Sequence, residues 1–274
     1  MESGRILGQN HIIKHFENAI KMGKISHAYI INGEAGSGKM KLAVHFAKAL
    51  QCEANNPDAS DGNMQFDFGE GTGEKKEITG VACGHCKSCH QTDSGNQPDI
   101  KYVTHEKSSI GVDEIRDQIN NDIDIKPYSS RYKIYIVPDS EKMTVQAQNA
   151  LLKTIEEPPE YAIIILLTTN ADMFLQTILS RCVLLNIRPV KEETIRNQLM
   201  SEYGIGNYEA NVAAVFANGN PGKAIKLATS EDFKELKQQV VGTLLSLEKG
   251  GMDIITQRVK EAGSFKNQID DYFG

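Results

Sequence analysis

Apolar residues in the first 190 positions fall into five short runs, which we interpret as β-strands. Most of these runs are continuous rather than alternating, as in strands that are buried on both faces of a sheet. Segments with the helical spacing of apolar residues separate the runs. This alternation predicts an α/β fold, with a parallel sheet covered by helices on both faces. The predicted strands are 27–33, 99–105, 132–139, 161–170 and 182–189, and the clearest helices are 9–22, 39–51 and 141–157.

The pattern changes after Pro189, where only helical periodicity remains. Two helical segments end at Gly204 and near Gly219, and a third follows at 221–230. Glycine just past the last periodic residue is a common helix stop. We therefore predict a small helical domain after the sheet domain, followed by a further helical stretch from 231 that reaches 274 without an obvious natural end.

Composition is ordinary for a globular protein, with 40% hydrophobic and 24% charged residues among 274. The net charge of −6 argues against a chain that grips DNA by bulk charge. Residues 53–80 carry seven acids and two lysines, so this Gly/Asp/Glu/Asn-rich segment accounts for −5 of that charge and resembles a long loop. No apolar run approaches 18 residues and no signal peptide begins the chain, so we expect a cytoplasmic protein with no membrane partner.

The segment NGEAGSGKM, residues 32–40, fits the phosphate-binding pattern G-x-x-x-x-G-K between an apolar strand and an amphipathic helix. Its glycines permit a turn whose backbone N–H groups point at a phosphate, and Lys39 would reach the outer phosphates. The next residue is usually Ser or Thr, whose hydroxyl ligates Mg²⁺, whereas Met40 offers a soft thioether. We predict a site that binds ATP or ADP but holds Mg²⁺ poorly. The remaining loop candidates are Gly33, Gly36, Ser37 and Gly38.

Three cysteines, Cys83, Cys86 and Cys89, lie within seven residues and predict a metal site. A closed tetrahedral zinc site needs a fourth ligand, for which Cys52 is the first candidate. An iron–sulfur cluster is disfavoured because Asp93 stands where another cysteine would be expected. Free thiols are the plain alternative. We predict a structural Zn²⁺ with no catalytic role, and the other candidates for the fourth ligand are His85, His90 and His105.

Five motifs occur together in a familiar order: ILGQNHIIKHFENAIKMGKISHAYIINGEAGSGK, LQCE with CGHCKSC, ALLKTIEEPP, LLTTN and ILSRC. Over residues 5 to about 230 the chain resembles the AAA+ family of bacterial DNA polymerase III clamp-loader subunits. Delta-prime subunits are the nearest match, and gamma/tau subunits come next. The resemblance implies a P-loop core at 1–188 with a five-stranded parallel sheet and a zinc module at 52–98. It also implies a three-helix lid at 189–230 and the start of an all-α collar at 231–274.

The resemblance also implies a place in an assembly. Clamp-loader subunits of this family form a hetero-pentameric ring of gamma/tau, delta and delta-prime subunits. The ring loads the sliding clamp onto primer–template DNA during replication, as part of the DNA polymerase III holoenzyme, a nucleotidyltransferase complex. We therefore expect these subunits, the clamp and primed DNA as partners.

The family's catalytic motifs are incomplete in this chain. Motor subunits end the strand before the ATP site in Asp-Glu, and here Pro138 and Asp139 stand there; a one-residue slip would instead leave Asp139 on the metal and Ser140 as base. A phosphate-sensing Arg of the motor subunits is replaced by Gly222. We expect weak or absent ATPase activity. An active gamma/tau-type ATPase is the alternative, and a zinc-dependent nucleic-acid-binding module ranks last. The resemblance also implies that Thr169 or Asn170, in LLTTN, senses the γ-phosphate.

Ser180-Arg181-Cys182 opens the last predicted strand. In the family this arginine reaches into a neighbouring subunit's ATP site, so the resemblance implies that Arg181 is an arginine finger acting in trans. Glu156 and Glu157 end the helix 141–157, where the helix dipole disfavours anions. Either they form a solvated helix end or they face a basic group of a neighbouring subunit.

Overall fold

A computed structural model of the protein describes residues 6–56, 78–106, 108–231, 233–235, 238 and 242. Residues 57–77, which form most of the predicted acidic loop, lie outside the described residues, as does nearly all of the predicted collar. The chain divides into two compact units between Pro189 and Val190. Each unit is described by itself below.

The first unit is built on a five-stranded sheet, and all of its strand pairs are parallel. The strands lie in the order β2-β3-β4-β1-β5. Because all the pairs are parallel, the chain returns across a face of the sheet between one strand and the next. Every residue of the central β4 is buried, which agrees with its continuous apolar sequence. The predicted five-stranded parallel sheet is therefore confirmed. The strand bounds are β1 Ala28–Asn32, β2 Ile100–Tyr102, β3 Lys133–Val137, β4 Ala162–Thr168 and β5 Val183–Asn186.

Helices cover both faces of this sheet. On one face, α1 and α2 pack over a cluster in which the rings of Phe16 and Phe46 stack with centroids 3.9 Å apart. Tyr29 of β1 meets Phe46 edge-on at 5.1 Å. On the other face, Ile115 and Leu151 belong to a second buried cluster. The helices described in this unit are α1 Asn10–Lys21, α2 Lys39–Gln51, α3 Lys87–Asp93, α4 Val112–Ile115, α5 Val145–Glu156 and α6 Gln176–Leu179.

Helix α5 begins later than the predicted start at residue 141. Ser140–Lys142 form a 3₁₀ turn, in which the buried Ser140 hydroxyl donates to the carbonyl of Leu167 at 2.8 Å. The Thr144 hydroxyl then accepts a hydrogen bond from the backbone N–H of Ala147 at 3.2 Å and caps α5. The predicted start was wrong because it was based on the spacing of apolar residues, which continues through the turn. That spacing carries no information about these two side-chain hydrogen bonds.

The second unit contains α7 Glu192–Tyr203, α8 Asn207–Phe216 and α9 Pro221–Thr229. Gly204 ends α7 in the left-handed conformation, with φ 64°. The Asn220 side chain accepts from the backbone N–H of Lys223 at 3.1 Å and caps α9, and Pro221 occupies its first turn. Gly222 therefore lies in the first turn of α9. Among the described helices of the whole chain, none combines the length and the apolarity needed to cross a membrane.

Candidate functional site

The phosphate-binding loop follows β1 at the carboxyl edge of the sheet. Gly36 and Gly38 have φ angles of 79° and 96°, a region that glycine enters without steric cost. Gly33 is needed for space, because a Cβ there would lie 2.9 Å from both the Ile187 Cβ and the Ser37 Oγ. Gly38 caps α2, so the positive end of that helix faces the loop. The backbone thus forms the cradle that the sequence predicts.

Two side chains of the loop fit a phosphate ligand. Lys39 lies against the loop and its Nζ donates to the backbone carbonyls of Gly33, at 2.5 Å, and Glu34, at 2.9 Å. Burial lowers the pKa of Lys39, while the carboxylates of Glu141, Asp139 and Glu34 act to raise it. The Ser37 Oγ is a buried atom with no hydrogen-bond partner in the described part of the chain. A phosphate oxygen would provide such a partner.

Met40 follows the loop lysine and belongs to the apolar packing. Its side chain is partly buried against the cluster of α1, α2 and the sheet. The thioether therefore supports the core and offers no hard oxygen ligand to Mg²⁺. The side chain after Lys39 thus contributes to the packing of the core.

The end of β3 carries one acidic side chain at the two positions, 138 and 139, where the resemblance predicts a pair of acids. Asp139 adopts φ 48° and ψ 38°, and its carboxylate is 53% exposed. It lies 3.0 Å from the Nζ of Lys142 and 4.0 Å from the Nε2 of His105. Ser140 points into the protein, as described above, so it is not available as a base. Neither register of the predicted motif produces a pair of acids.

Glu141 is a candidate that sequence reasoning missed. Its Oε1 accepts from the hydroxyl of Thr169 at 2.8 Å, and its Oε2 accepts from the backbone N–H of the same residue at 3.3 Å. Burial acts to raise the pKa of Glu141, but hydrogen bonds from Thr169, together with those from the Glu141 backbone and the Thr168 side chain, outweigh it and hold the pKa below its ordinary value. Among the carboxylates near Lys39, Glu141 has the largest effect on the lysine pKa.

The two predicted sensors have different surroundings. Thr169 contacts Glu141, which links the ends of the neighbouring strands β3 and β4 beside the phosphate loop. The Asn170 side chain accepts from the backbone N–H of Asp172 at 2.9 Å and caps a 3₁₀ turn, Ala171–Met173. The structure therefore uses the Asn170 side chain locally, whereas Thr169 takes part in the polar site. The sequence offers only an indirect signal for Glu141. The carboxyl ends of adjacent parallel strands meet at one edge of the sheet, so residues that follow β3 and β4 are expected to lie close together.

Four cysteine thiols meet at the far end of α2. The Sγ atoms of Cys52, Cys83, Cys86 and Cys89 all lie within 4.8 Å of one another. The Sγ atoms of Cys83 and Cys89 are 4.0 Å apart, close to the ~3.8 Å expected between thiolates around a tetrahedral zinc. This donor set fits a metal ion such as zinc.

Backbone groups support the thiol cluster from outside. The N–H of Cys83 donates to the Cys52 Sγ at 3.2 Å, and the N–H of Cys89 donates to the Cys86 Sγ at 3.4 Å. Burial acts to raise the pKa of Cys83, but hydrogen bonds from the backbone of His85 and Cys86 outweigh it and bring the pKa to about 6. Burial raises the pKa of both Cys52 and Cys89. A cation among the four sulfurs would favour their thiolate forms.

Among the described residues, the group of potential metal ligands contains the four cysteines and none of the histidines that competed for the fourth position. The ring Nδ1 of His85 is 2.9 Å from the carbonyl of Cys83, and His105 lies near Asp139. The thiol module is also attached to α2 by an ion pair, in which the Nζ of Lys48 is 2.7 Å from the Oδ1 of Asp93 on α3. Helix α2 therefore carries the phosphate loop at one end and the thiol cluster at the other.

Arg181 follows α6 and is exposed. Its Nη1 donates to the Thr177 carbonyl at 3.0 Å and to the Ser180 hydroxyl at 3.2 Å. Its Nη2 lies 3.0 Å from the Oε1 of Glu156 at the end of α5. Glu156 therefore faces a basic group of its own chain, an outcome that neither sequence interpretation of the helix end included.

Comparison with known proteins places this geometry in a family. A family model described as "DNA polymerase III, delta subunit" matches residues 8–68 and 64–191. The chain is 35% identical over 190 residues to DNA polymerase III subunit tau of Bacillus subtilis, which covers 69% of the chain. It is 29% identical over 233 residues to DNA polymerase III subunit delta′ of the same organism, which covers 85%.

The chain spans 30% of the length of that tau subunit and 63% of that delta′ subunit. Among solved structures, a DNA polymerase III gamma subunit-related protein of Thermotoga maritima is similar to 91% of the chain, over 77% of its own length, with 21% identity and a TM-score of 0.47. The family match covers both the phosphate loop and the four cysteines. The chain therefore belongs to the DNA polymerase III delta-subunit family of AAA+ clamp-loader proteins.

Proposed function

We propose that this chain is a delta-prime-type stator of the DNA polymerase III clamp loader, with a degenerate ATP site of its own and an arginine finger for a neighbouring subunit. One observation carries the proposal. The backbone cradle for phosphate is complete, but neither the Met40 side chain nor the Pro138 side chain provides an oxygen ligand for Mg²⁺. Arg181, in contrast, lies exposed just after α6. The chain keeps the parts for binding nucleotide and for assisting a neighbour.

The pocket's chemistry is limited to binding. Loop amides and Lys39 would hold the phosphates of ATP or ADP. Mg²⁺, which neutralises developing charge during phosphoryl transfer, would be poorly held. The Asp139 carboxylate pairs with Lys142, and the Glu141 carboxylate accepts a hydrogen bond from Thr169. Neither carboxylate therefore has a second acid beside it with which to hold a metal ion and activate water. Because phosphoryl transfer depends on positioning and charge neutralisation, hydrolysis in this pocket should be slow.

Arg181 would act outside its own chain. A guanidinium is always charged and its planar fork matches phosphoryl oxygens, so an exposed arginine can stabilise charge in a site that another subunit provides. The four cysteines would hold a structural Zn²⁺. With four protein ligands this site leaves no open coordination position, so it stabilises the module and takes no part in the reaction.

The proposed partners rest on the resemblance to clamp-loader subunits and on the relatives that are named as DNA polymerase III subunits. The chain would sit in a hetero-pentameric ring with gamma/tau-type and delta subunits, in the cytoplasm, and would help to load the sliding clamp onto primer–template DNA. Contacts with clamp and DNA would come through the assembled complex.

A second candidate is an active gamma/tau-type ATPase. Two observations favour it: the 35% identity to a tau subunit, and the carboxylate of Glu141 beside the phosphate loop. Steady-state ATP hydrolysis by the purified chain, alone and with clamp and primed DNA, separates the two candidates. An active motor hydrolyses ATP and loses that activity in Glu141→Gln. A stator shows little activity, and Met40→Thr alone restores little.

The proposal is tested by reconstitution with a gamma/tau-type ATPase subunit and a delta subunit. Arg181→Ala should lower the complex's ATPase rate at the neighbouring site by roughly 10³–10⁵-fold. Arg188→Ala is the matched control, since Arg188 is also exposed and contacts Gln9 through its backbone. An unchanged rate in Arg181→Ala, or a chain that fails to associate with these subunits, would reject the proposal.

A further inference from the structure

The guanidinium of Arg181 is held between two structural elements. Nη1 bonds to the Thr177 carbonyl and the Ser180 hydroxyl, both at the end of α6. Nη2 pairs with Glu156, the last residue of α5. The contacts come from two different elements and engage two different nitrogens, so together they restrict the position of the guanidinium. Without Glu156 only the α6 contacts would remain.

Glu156 occupies a place that is unfavourable by itself. The carbonyl end of α5 carries partial negative charge, and the adjacent Glu157 adds a second carboxylate. Arg181 supplies the compensating positive charge to Glu156. The carboxylate of Glu157 is also exposed but makes no ion pair within the described residues. The two adjacent acids are both exposed at the end of α5, and of the two only Glu156 is in contact with Arg181 among the described residues.

The contacts leave part of the guanidinium free. An arginine has five N–H donors, and the two on Nη1 are both engaged. Within the part of the chain that the structure describes, Nε makes no hydrogen bond and Nη2 has a single acidic neighbour. Nη2 carries two N–H groups and has one acidic neighbour, so Nε and one N–H of Nη2 can still donate to phosphoryl oxygens.

We propose that Glu156 is a positioning residue for Arg181, which holds the guanidinium at the edge of the chain with its Nε/Nη2 side ready for an acceptor. The inference rests on the proposed finger role of Arg181. Long arginine side chains lose substantial rotamer freedom on binding, and a group that is already ordered loses less. The side chains of Arg181 and Glu156 are 40% and 45% exposed, so the expected gain is that of a solvent-screened pair.

Glu156→Gln keeps the shape and removes the charge. In the reconstituted complex it should lower the kcat of the neighbour's ATPase by about two- to fivefold, with KM for ATP unchanged, because a finger acts on the transition state. Glu156→Asp should recover part of the loss if its shorter carboxylate still reaches Nη2. Glu157→Gln is the matched control and should leave kcat at its original value. In an Arg181→Ala background, Glu156→Gln should have no further effect.

A second measurement does not depend on the partner. In the isolated chain, ¹⁵N relaxation of the Arg181 Nε–H should show a mobile side chain in Glu156→Gln and a restrained one in Glu157→Gln. Unchanged mobility together with unchanged kcat overturns the inference, and a rise in kcat overturns it by showing that Glu156 masks the arginine. If Arg181→Ala itself leaves the ATPase unchanged, the finger role fails instead, and the relaxation result alone decides whether Glu156 orders Arg181.

Discussion

The two ends of helix α2 differ in how completely they are equipped. At the carboxyl end, Cys52 joins three other cysteines, and all four sulfurs converge. At the amino end, the glycine cradle and Lys39 are present, but Met40 packs into the core in place of a metal ligand. One end has the full donor set of a closed metal site, and the other has a binding loop without its metal anchor.

The difference shows which parts of a site depend on individual side chains. A zinc site requires every ligand, since each thiolate forms one of four bonds. A phosphate cradle is made mainly from backbone N–H groups and a helix end, so its shape survives the replacement of a neighbouring hydroxyl by a thioether. Nucleotide binding can therefore persist where catalysis does not, and the two ends should respond differently to substitution.

The largest expected effect is at the thiol end. Cys86→Ser should abolish binding of one zinc per chain and unfold the thiol module, because structural zinc sites contribute on the order of 10 kcal/mol to local folding. Metal analysis and thermal unfolding of the purified chain are the measurements. Cys182→Ser is the control: burial raises the pKa of this thiol to about 12, it lies outside the cluster, and its loss should leave the zinc content unchanged. Full zinc occupancy in Cys86→Ser would show that the four thiols do not form the site.

A smaller effect is expected at the phosphate end. Lys39→Ala should weaken ADP binding by about 10–100-fold, the range for a lost charge-assisted hydrogen bond of about 1.5–3 kcal/mol. Lys41→Ala is the control, since Lys41 is exposed two residues further along α2. Calorimetric titrations of the chain with ADP should give similar affinities in the presence of Mg²⁺ and in the presence of EDTA, because the metal lacks its anchor at Met40. Strong tightening by Mg²⁺ would erase the contrast between the two ends of α2.

Local sequence predicted the fold and much of the site, because the relevant signals are local. The buried apolar runs of β1 and β4 specify a two-faced sheet, and the glycines of the phosphate loop specify its turn. The thiol cluster needed one longer step, from the Cys83–Cys89 run back to Cys52. These features depend on spacing and on residue chemistry, both of which the sequence displays directly.

The remainder depends on contacts between distant positions. Glu141 and Thr169 are 28 residues apart and meet only because β3 and β4 are adjacent. Glu156 and Arg181 belong to α5 and to the segment after α6, and no periodicity relates them. The late start of α5 depends on the Ser140 hydroxyl finding the Leu167 carbonyl. Side-chain partners of this kind follow from the packed sheet and cannot be read from apolar spacing.

The smallest expected effect concerns the carboxylate beside the phosphate loop, and it depends on pH. The pKa of Glu141 is lower in the folded chain than its ordinary value of 4.5, because Thr169 hydrogen-bonds to the charged form. A lowered pKa means that this carboxylate stabilises the folded state above pH 4.5 and that the contribution is lost as the pH falls through the folded value. Glu141→Gln should therefore reduce the free energy of unfolding slightly at pH 7, and the difference from the unsubstituted chain should shrink below pH 4.5. Urea unfolding at pH 7, 5, 4 and 3.5 measures it, with the exposed Glu160→Gln as control. A difference that is constant with pH would mean that the hydrogen bonds from Thr169 do not favour the charged form of Glu141, and the phosphate end of α2 would then lack even this one ordered acid.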